Sequence, residues 1–288
     1  MKKYLVIGNP IEHSQSPLIH NHWMKKYSLS DSVYEKRKIE KKDLKNIVKE
    51  VKDEKIAGVN VTVPFKKSII NHLDELDQTA RDTQSVNTLH KVDNKVVGYN
   101  TDTLGFLRTV HDYYNFTTPE AVVDVPRRDF FILGAGGVTA SIITPLQFLV
   151  GKHPGVIWVS NRTKKNANQL KKLFPKIKLI EWGELPPIFC DIVVNTTSVG
   201  LKRDDKIKIN FTNTDKKTLF YDLIYNPKET NFLKEARLRG NKTINGQMMF
   251  LVQAREAFRI WTNITPQIDD EVITVSYTHL RAHETRGN

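Results

Sequence analysis

Along most of the chain, stretches that alternate apolar and polar residues give way to stretches in which apolar residues recur every three or four positions. The first period places alternate side chains on one face of a strand, and the second lines one face of a helix. Their repeated exchange predicts βα units, an α/β fold and a mainly parallel sheet. Near the start, Tyr4–Ile7 reads as a strand and Pro17–Tyr27 as a helix, with Ser16 at its N-cap and Pro17 at the first helical position. Leu44, Ile47, Val48 and Val51 form an i, i+3, i+4, i+7 stripe, and Ala57–Val63 reads as a buried strand. Val86–Lys91 and Lys95–Tyr99 pair as a hairpin about Asp93-Asn94.

A helix is expected from Asp102 to Tyr113, followed by a connecting loop over Asn115–Arg128, which holds two prolines and turn residues. Beyond it come strands at Phe130–Leu133, Val156–Ser160, Ile177–Ile180, Asp191–Asn195 and Thr218–Asp222, with helices beginning near Gly137, Lys164 and Glu229. That is the pattern of a doubly wound sheet. The last fourteen residues, 275–288, break it. Val275–Thr285 reads as translated read-through of a sequencing adapter, with Arg286-Gly287-Asn288 behind it, and is set aside from the fold as an appended tail. On that reading His279 and His283 are no metal pair and the true C-terminus is missing; the alternative is a genuine polar tail.

The length of 288 residues suggests two domains, and 39% hydrophobic with 26% charged residues excludes a disordered or fibrous chain. Cys190 is the single cysteine, so no intramolecular disulfide forms and a reducing compartment is expected. The apolar run after Met1 is too short for a signal peptide, and Met248–Val252 is far short of the roughly 20 residues that span a bilayer. A cytoplasmic protein is expected. The net charge of +12 is scattered, and between Lys25 and Lys67 most lysines alternate with acidic residues along an expected helix. Solvated faces and attraction for a small anionic ligand explain it better than a nucleic-acid surface.

Two regions carry candidate chemistry. Phe131-Ile132-Leu133-Gly134-Ala135-Gly136-Gly137 runs from a strand through a glycine turn into a helix. Gly134 permits the turn, and Gly136 lets backbone N–H groups approach a pyrophosphate at the helix N-terminus. Thr139 stands where the fingerprint wants a third glycine, and a plain strand-to-helix turn is the alternative. After the next strand stands Ser160-Asn161-Arg162-Thr163, with no acid to accept from a ribose 2′-hydroxyl. A guanidinium and a hydroxyl there suit a 2′-phosphate, so the expected cofactor is NADP. In the first third, Asn60-Val61-Thr62-Val63-Pro64-Phe65-Lys66 closes a strand with Asn60 and Thr62 on one face. Ser85-Val86-Asn87-Thr88 and Asn100-Thr101-Asp102 add polar groups at element ends, although Asp102 alone would read as a helix N-cap.

Taken in order, these strings resemble the shikimate dehydrogenase family, up to about Thr274. Ser14-Gln15-Ser16-Pro17 with His20-Asn21, Asn195-Thr196-Thr197-Ser198-Val199-Gly200, Tyr221-Asp222-Leu223-Ile224-Tyr225-Asn226-Pro227 and Asn245-Gly246-Gln247-Met248 carry it further. The resemblance implies an N-terminal α/β substrate domain over residues 1–104, completed by helices over 241–274, and a Rossmann-like NADP domain over 105–240. It implies reversible NADPH-dependent reduction of 3-dehydroshikimate to shikimate, on the route through chorismate to aromatic amino acids. Ser14, Ser16 and Tyr225 would hold the substrate carboxylate, and Asn60, Thr62, Asn87, Asp102 and Gln247 the ring hydroxyls. Gly134, Ala135, Gly136, Gly137, Asn161, Arg162, Thr163, Thr196 and Gly246 would hold NADP. Lys66 would give the proton that a developing alkoxide needs, with Asp102 orienting it.

Val138-Thr139-Ala140-Ser141 departs from the family, which often has a basic residue there, so one phosphate contact is expected to be lost. His13 and His20 read as a polar loop residue and a helix-surface residue, Cys190 as a small hydrophobe, and Trp182 and Trp261 as packing. No metal cluster is expected. The partners expected are a small-molecule substrate and NADP, without nucleic acid or membrane, on a monomer or homodimer. Hinges are expected near Asp102–Gly105 and Gly240–Gly246. The rivals are a quinate/shikimate dehydrogenase that accepts NAD, and a non-catalytic NADP- or metabolite-binding regulator, which should lack Lys66 or Asp102.

Overall fold

The structure, a computed structural model, describes residues 1–113, 129–151, 155–187, 189–212 and 214–284. The expected loop at 115–128 and the end of the tail lie outside them. In chain order the elements begin β1 (Lys2–Gly8), α1 (Ser16–Lys26), β2 (Ser32–Lys38), α2 (Leu44–Lys52), β3 (Gly58–Val61), β4 (Glu75–Leu76), α3 (Gln78–Thr83), β5 (Thr88–Val92), β6 (Lys95–Tyr99) and α4 (Asp102–Tyr113). They continue β7 (Phe130–Leu133), α5 (Thr139–Gly151), β8 (Ile157–Ser160), α6 (Lys164–Leu173), β9 (Lys178–Ile180), β10 (Ile192–Asn195), β11 (Leu219–Asp222), α7 (Asn231–Leu238), β12 (Thr243–Ile244), α8 (Gln247–Thr262) and α9 (Asp270–Glu284). The chain divides into two compact units, Met1–Gly105 with Leu251–Asn288, and Phe106–Phe250. The crossings fall within α4 and α8. Among the described residues no helix is long and apolar enough to cross a membrane.

The first unit is built on a mixed sheet of order β2-β1-β3-β5-β6-β4. β1 pairs in parallel with β2 and β3, whereas β5 runs antiparallel to both β3 and β6. Leu5, Ile7, Val59 and Val61 point to one face and pack with the α2 stripe, in which Leu44, Ile47, Val48 and Val51 are all buried. The opposite face takes Tyr4, which lies 5.3 Å from the Trp261 ring, in keeping with the two-residue alternation of a strand. Gly58 makes room for that indole: a Cβ there would stand 2.4 Å from Trp261 Nε1, which donates to Leu89 O at 3.0 Å.

The second unit has six parallel strands in the order β12-β11-β10-β7-β8-β9. Counted within the unit this is the doubly wound order 3-2-1-4-5-6 read from one edge. Strands β7, β10 and β11 are buried throughout because both faces are covered. Phe106, Ile142, Ile143 and Leu146 cover one face, and Phe211, Phe232 and Leu233 the other. At the strand ends, Asp222 is fully buried and accepts from Thr230 Oγ1 at 2.6 Å, Ile224 N at 3.0 Å and Asn195 Nδ2 at 3.0 Å. It joins the turns after β10 and β11 to the start of α7. Burial outweighs those bonds and raises its carboxyl to about 6.

Several expectations are corrected. Helix α1 begins at Ser16 itself, with Gln15 at the cap, because the Ser16 N–H turns back to Ser14 Oγ at 3.4 Å. The buried strand stops at Val61, and Val63 is 62% exposed beside Pro64. Residues 32–38, placed on a lysine-rich helix by their charge, form the edge strand β2, of which only Tyr34 is buried. Edge strands carry charge on their open side, which hides the alternation. His20 is not on a helix surface but 0% exposed among Trp23, Tyr34, Phe258 and Trp261. Apart from these corrections, helix α9 spans Asp270–Glu284 and Ser276 is buried.

Two outcomes are expected. Gly58→Ala should overpack against Trp261 and lower stability by about 1–3 kcal/mol, read from the urea midpoint; an unchanged midpoint would mean that the indole yields freely. Asp222, whose carboxyl rises from 3.8 to about 6 on folding, favours the folded state most below pH 4 and loses that contribution as pH rises through 6. The stability of the wild type relative to Asp222→Asn should therefore fall between pH 4 and pH 7, by about 3 kcal/mol. A difference that does not vary with pH would contradict the raised carboxyl.

Candidate active site

Strand polarity gathers the first set of polar groups. β3 ends, β5 begins and β6 ends at the same end of the sheet, with Asn60 opposite Thr88 and Thr88 opposite Tyr99. The chain after β3 turns through Thr62–Phe65, the Phe65 N–H closing on Thr62 O at 2.9 Å, and Lys66 follows with its carbonyl taken by Val86 N at 2.8 Å. Lys66 Nζ then reaches Asp102 Oδ2 at 2.6 Å, with side-chain exposures of 13% and 8%. Among the described residues Asp102 is its one hydrogen-bond partner, which leaves two N–H donors free.

Asp102 opens α4 and is not its N-cap; its own N–H donates to Asn100 Oδ1 at 3.1 Å. Its Oδ1 accepts from Asn87 Nδ2 at 2.9 Å. Asn87 gives its other amide hydrogen to Thr101 Oγ1 at 3.0 Å, while its Oδ1 accepts from Thr101 N at 2.9 Å and Thr88 Oγ1 at 3.0 Å. Asn60 donates to Asn87 O at 3.2 Å and Thr88 Oγ1 at 3.1 Å, and accepts from the Tyr34 phenol at 2.6 Å. Both amides are thus largely committed within the protein. Thr62 differs: its methyl fills the space over Gly8, where a Cβ would stand 2.6 Å away, and its hydroxyl makes no hydrogen bond among the described residues. Ser14 and Ser16 lie hydroxyl to hydroxyl at 3.3 Å at the start of α1. Hydroxyls and amides of β5 and α4 thus connect, bond by bond, to one lysine–carboxylate pair.

Tyr34 and Thr88 were not singled out from sequence as site residues. The signal for Tyr34 is one aromatic within a run of charged residues. Thr88 belongs to the Ser85-Val86-Asn87-Thr88 string. His20, with burial pushing its imidazole down to about 3, is neutral and takes no charge to the site. Cys190 is 5% exposed and its thiol is pushed up to about 12 by burial and by Asp129 and Asp191, which removes it as a nucleophile.

In the second unit, Gly134 has φ 111°, open to glycine, and a Cβ there would meet Thr196 Oγ1 at 2.5 Å. Thr196 Oγ1 donates to Leu133 O at 2.8 Å, so at 2.9 Å it accepts from Thr139, the residue in the third glycine's place. Among the described residues nothing stands within 4 Å of a Cβ built on Gly136, so that side of the turn is open. Asn161 Oδ1 accepts from Ala135 N at 3.0 Å and braces the loop. Arg162 and Thr163 are exposed and their side chains make no hydrogen bond or ion pair among the described residues. An open backbone cradle beside an unpaired guanidinium and hydroxyl fits a dinucleotide with a 2′-phosphate. Ala140 is 0% exposed, and none of Val138-Thr139-Ala140-Ser141 carries a charge.

Tyr225 and Gln247 also belong to this unit. The Tyr225 ring stacks on Phe250 at 4.6 Å, and loss of water pushes its phenol up to about 12. Gly246 donates its N–H to Ile224 O at 3.1 Å, and its missing Cβ would fall 2.0 Å from Leu223 O, so only glycine lets the two turns meet.

The chain is similar along nearly its whole length to known proteins. A family model described as the shikimate dehydrogenase substrate binding domain matches residues 6–89. A shikimate dehydrogenase (NADP(+)) of Pelagibacter ubique is 46% identical over 274 residues, 95% of this chain and 98% of that protein. The crystal structure of shikimate dehydrogenase from Aquifex aeolicus superposes with a TM-score of 0.82 at 34% identity, covering 96% of this chain and 98% of the other. That of shikimate 5-dehydrogenase from Thermus thermophilus, in complex with NADP(H) and shikimate, gives 0.80 at 28% identity over 98% and 99%. With its lysine–aspartate pair, its glycine cradle and this likeness along nearly the whole length, the chain belongs to the shikimate dehydrogenase family.

Proposed function

We propose that this chain catalyses the reversible NADPH-dependent reduction of 3-dehydroshikimate to shikimate, with Lys66 as the acid in reduction and the base in oxidation. The observation that carries the roles is the 2.6 Å Lys66–Asp102 pair, in which, among the described residues, Lys66 keeps two free donors. Bound NADPH supplies a hydride to the carbonyl carbon. The carbonyl oxygen then gathers negative charge, and Lys66 gives it a proton to complete the alcohol; in the reverse direction the neutral amine takes that proton back. Asp102 stays an acceptor throughout, fixed at Oδ1 by Asn87 and aiming Lys66 with Oδ2.

Ser14, Ser16 and Tyr225 are proposed for the substrate carboxylate, and Asn60, Thr62, Asn87, Asp102 and Gln247 for the ring hydroxyls. The committed amides refine that set: Asn87 has spent both hydrogens and acts mainly on Asp102, whereas the uncommitted Thr62 hydroxyl is free to pair directly. NADP is proposed to lie over Gly134–Gly137, with Thr196 and Gly246 shaping the loops and Arg162, Thr163 and Asn161 at the adenosine end. Residues 1–104 with 241–274 are proposed as the substrate domain and 105–240 as the NADP domain. The deeply buried Cys190 suits a reducing cytoplasmic compartment.

Lys66→Ala should lower kcat by about 10²–10⁴-fold while NADP binding persists, followed by reduced-nicotinamide absorbance with shikimate as substrate. Retained turnover would remove Lys66 as the proton donor. Arg162→Ala should raise KM for NADP about 10- to 100-fold and leave NAD unaffected, since a charge-assisted bond to phosphate contributes about 1.5–3 kcal/mol. Faster turnover of the wild type with quinate or NAD would favour the quinate-type rival.

A further inference from the structure

His20 and Asn21, part of the family resemblance, take no part in the chemistry above, yet both act on Tyr34. The His20 ring stacks on the Tyr34 ring at 4.3 Å and 5°. Asn21 grips the same residue by its main chain: Nδ2 donates to Tyr34 O at 2.9 Å and Oδ1 accepts from Tyr34 N at 2.9 Å. β2 is the outermost strand on its side of the sheet, so this carboxamide supplies the partner that a further strand would have given. Tyr34 is 1% exposed, and its phenol, raised by burial, keeps its proton and donates to Asn60 Oδ1 at 2.6 Å. The Ser16 hydroxyl bonds to the same phenol.

The orientation of Asn60 follows from its neighbours. The main-chain oxygen of Asn87 can only accept, so Nδ2 must face it, and Oδ1 is left for Tyr34. With both amide hydrogens and one oxygen lone pair used, Asn60 keeps a single acceptor position. We propose that Tyr34, held by His20 and Asn21, is a positioning residue of the substrate site that presents Asn60 as an acceptor to a ring hydroxyl of the substrate. The proposal rests on the shikimate reading given above.

The test is calorimetric titration of shikimate into the wild type, Tyr34→Phe, Asn60→Ala and the double variant, with kcat and KM for both substrates. Tyr34→Phe should weaken shikimate binding and raise its KM by about tenfold, the scale of one buried hydrogen bond. Its kcat and its KM for NADP should stay within about twofold, a split that general loosening would not give. In the Asn60→Ala background the same change should have no further effect on shikimate. Unaltered affinity in Tyr34→Phe overturns the proposal, as does a tenfold loss repeated on top of Asn60→Ala. Asn21→Ala frees the Tyr34 main chain and should raise shikimate KM in the same direction; if Tyr34→Phe does not fold, an unchanged KM in Asn21→Ala overturns the proposal instead. A wild type that neither binds nor oxidises shikimate overturns the functional reading, whereas an active wild type with an indifferent Tyr34→Phe overturns this inference alone.

Discussion

The carboxamide of Asn87 binds the start of β5 to the start of α4, and the lysine–aspartate pair depends on that junction. Two opposite charges that have lost most of their water are stable only if their remaining polar atoms are satisfied as well. Lys66 satisfies one oxygen of Asp102 and Asn87 the other, while Thr101 and Thr88 occupy the rest of the amide. Each bond is ordinary in length. Their combined effect is to leave Asp102 a single direction in which to aim its partner.

Regularity of burial decided what could be read in the chain. Strands β7, β10 and β11 came out within a residue of their observed bounds because both their faces are apolar and their sequences are short unbroken runs. The α2 stripe was legible for the converse reason, one apolar face against one polar face. β2 was not, since its single inward side chain, Tyr34, gives no period to detect. His20 was misplaced because an imidazole is read as polar, while here it behaves as a flat apolar ring. In the site, the motifs identified the residue types and their order. The division of labour between Asn60 and Asn87 was hidden, because the partners on other elements that set it lie 14 to 28 residues away.

The glycine loop shows how a departure from a fingerprint can be absorbed. Thr139 stands where close packing would favour glycine, and its hydroxyl bonds to Thr196, which in turn closes on the end of β7. The bulk of that side chain is turned into a brace beneath the loop. The opening at Gly136 remains, because that is where the backbone must stay bare.

The burial of Cys190 has a practical corollary. Its thiol is 5% exposed and is pushed up to about 12, so at neutral pH it offers alkylating reagents almost no thiolate. The chain contains no other cysteine. A cysteine introduced at the 62% exposed Val63, beside Thr62 and three residues before Lys66, would be the one reactive thiol in the molecule. A fluorophore attached there would sit at the edge of the proposed substrate surface, and Cys190 could stay in place.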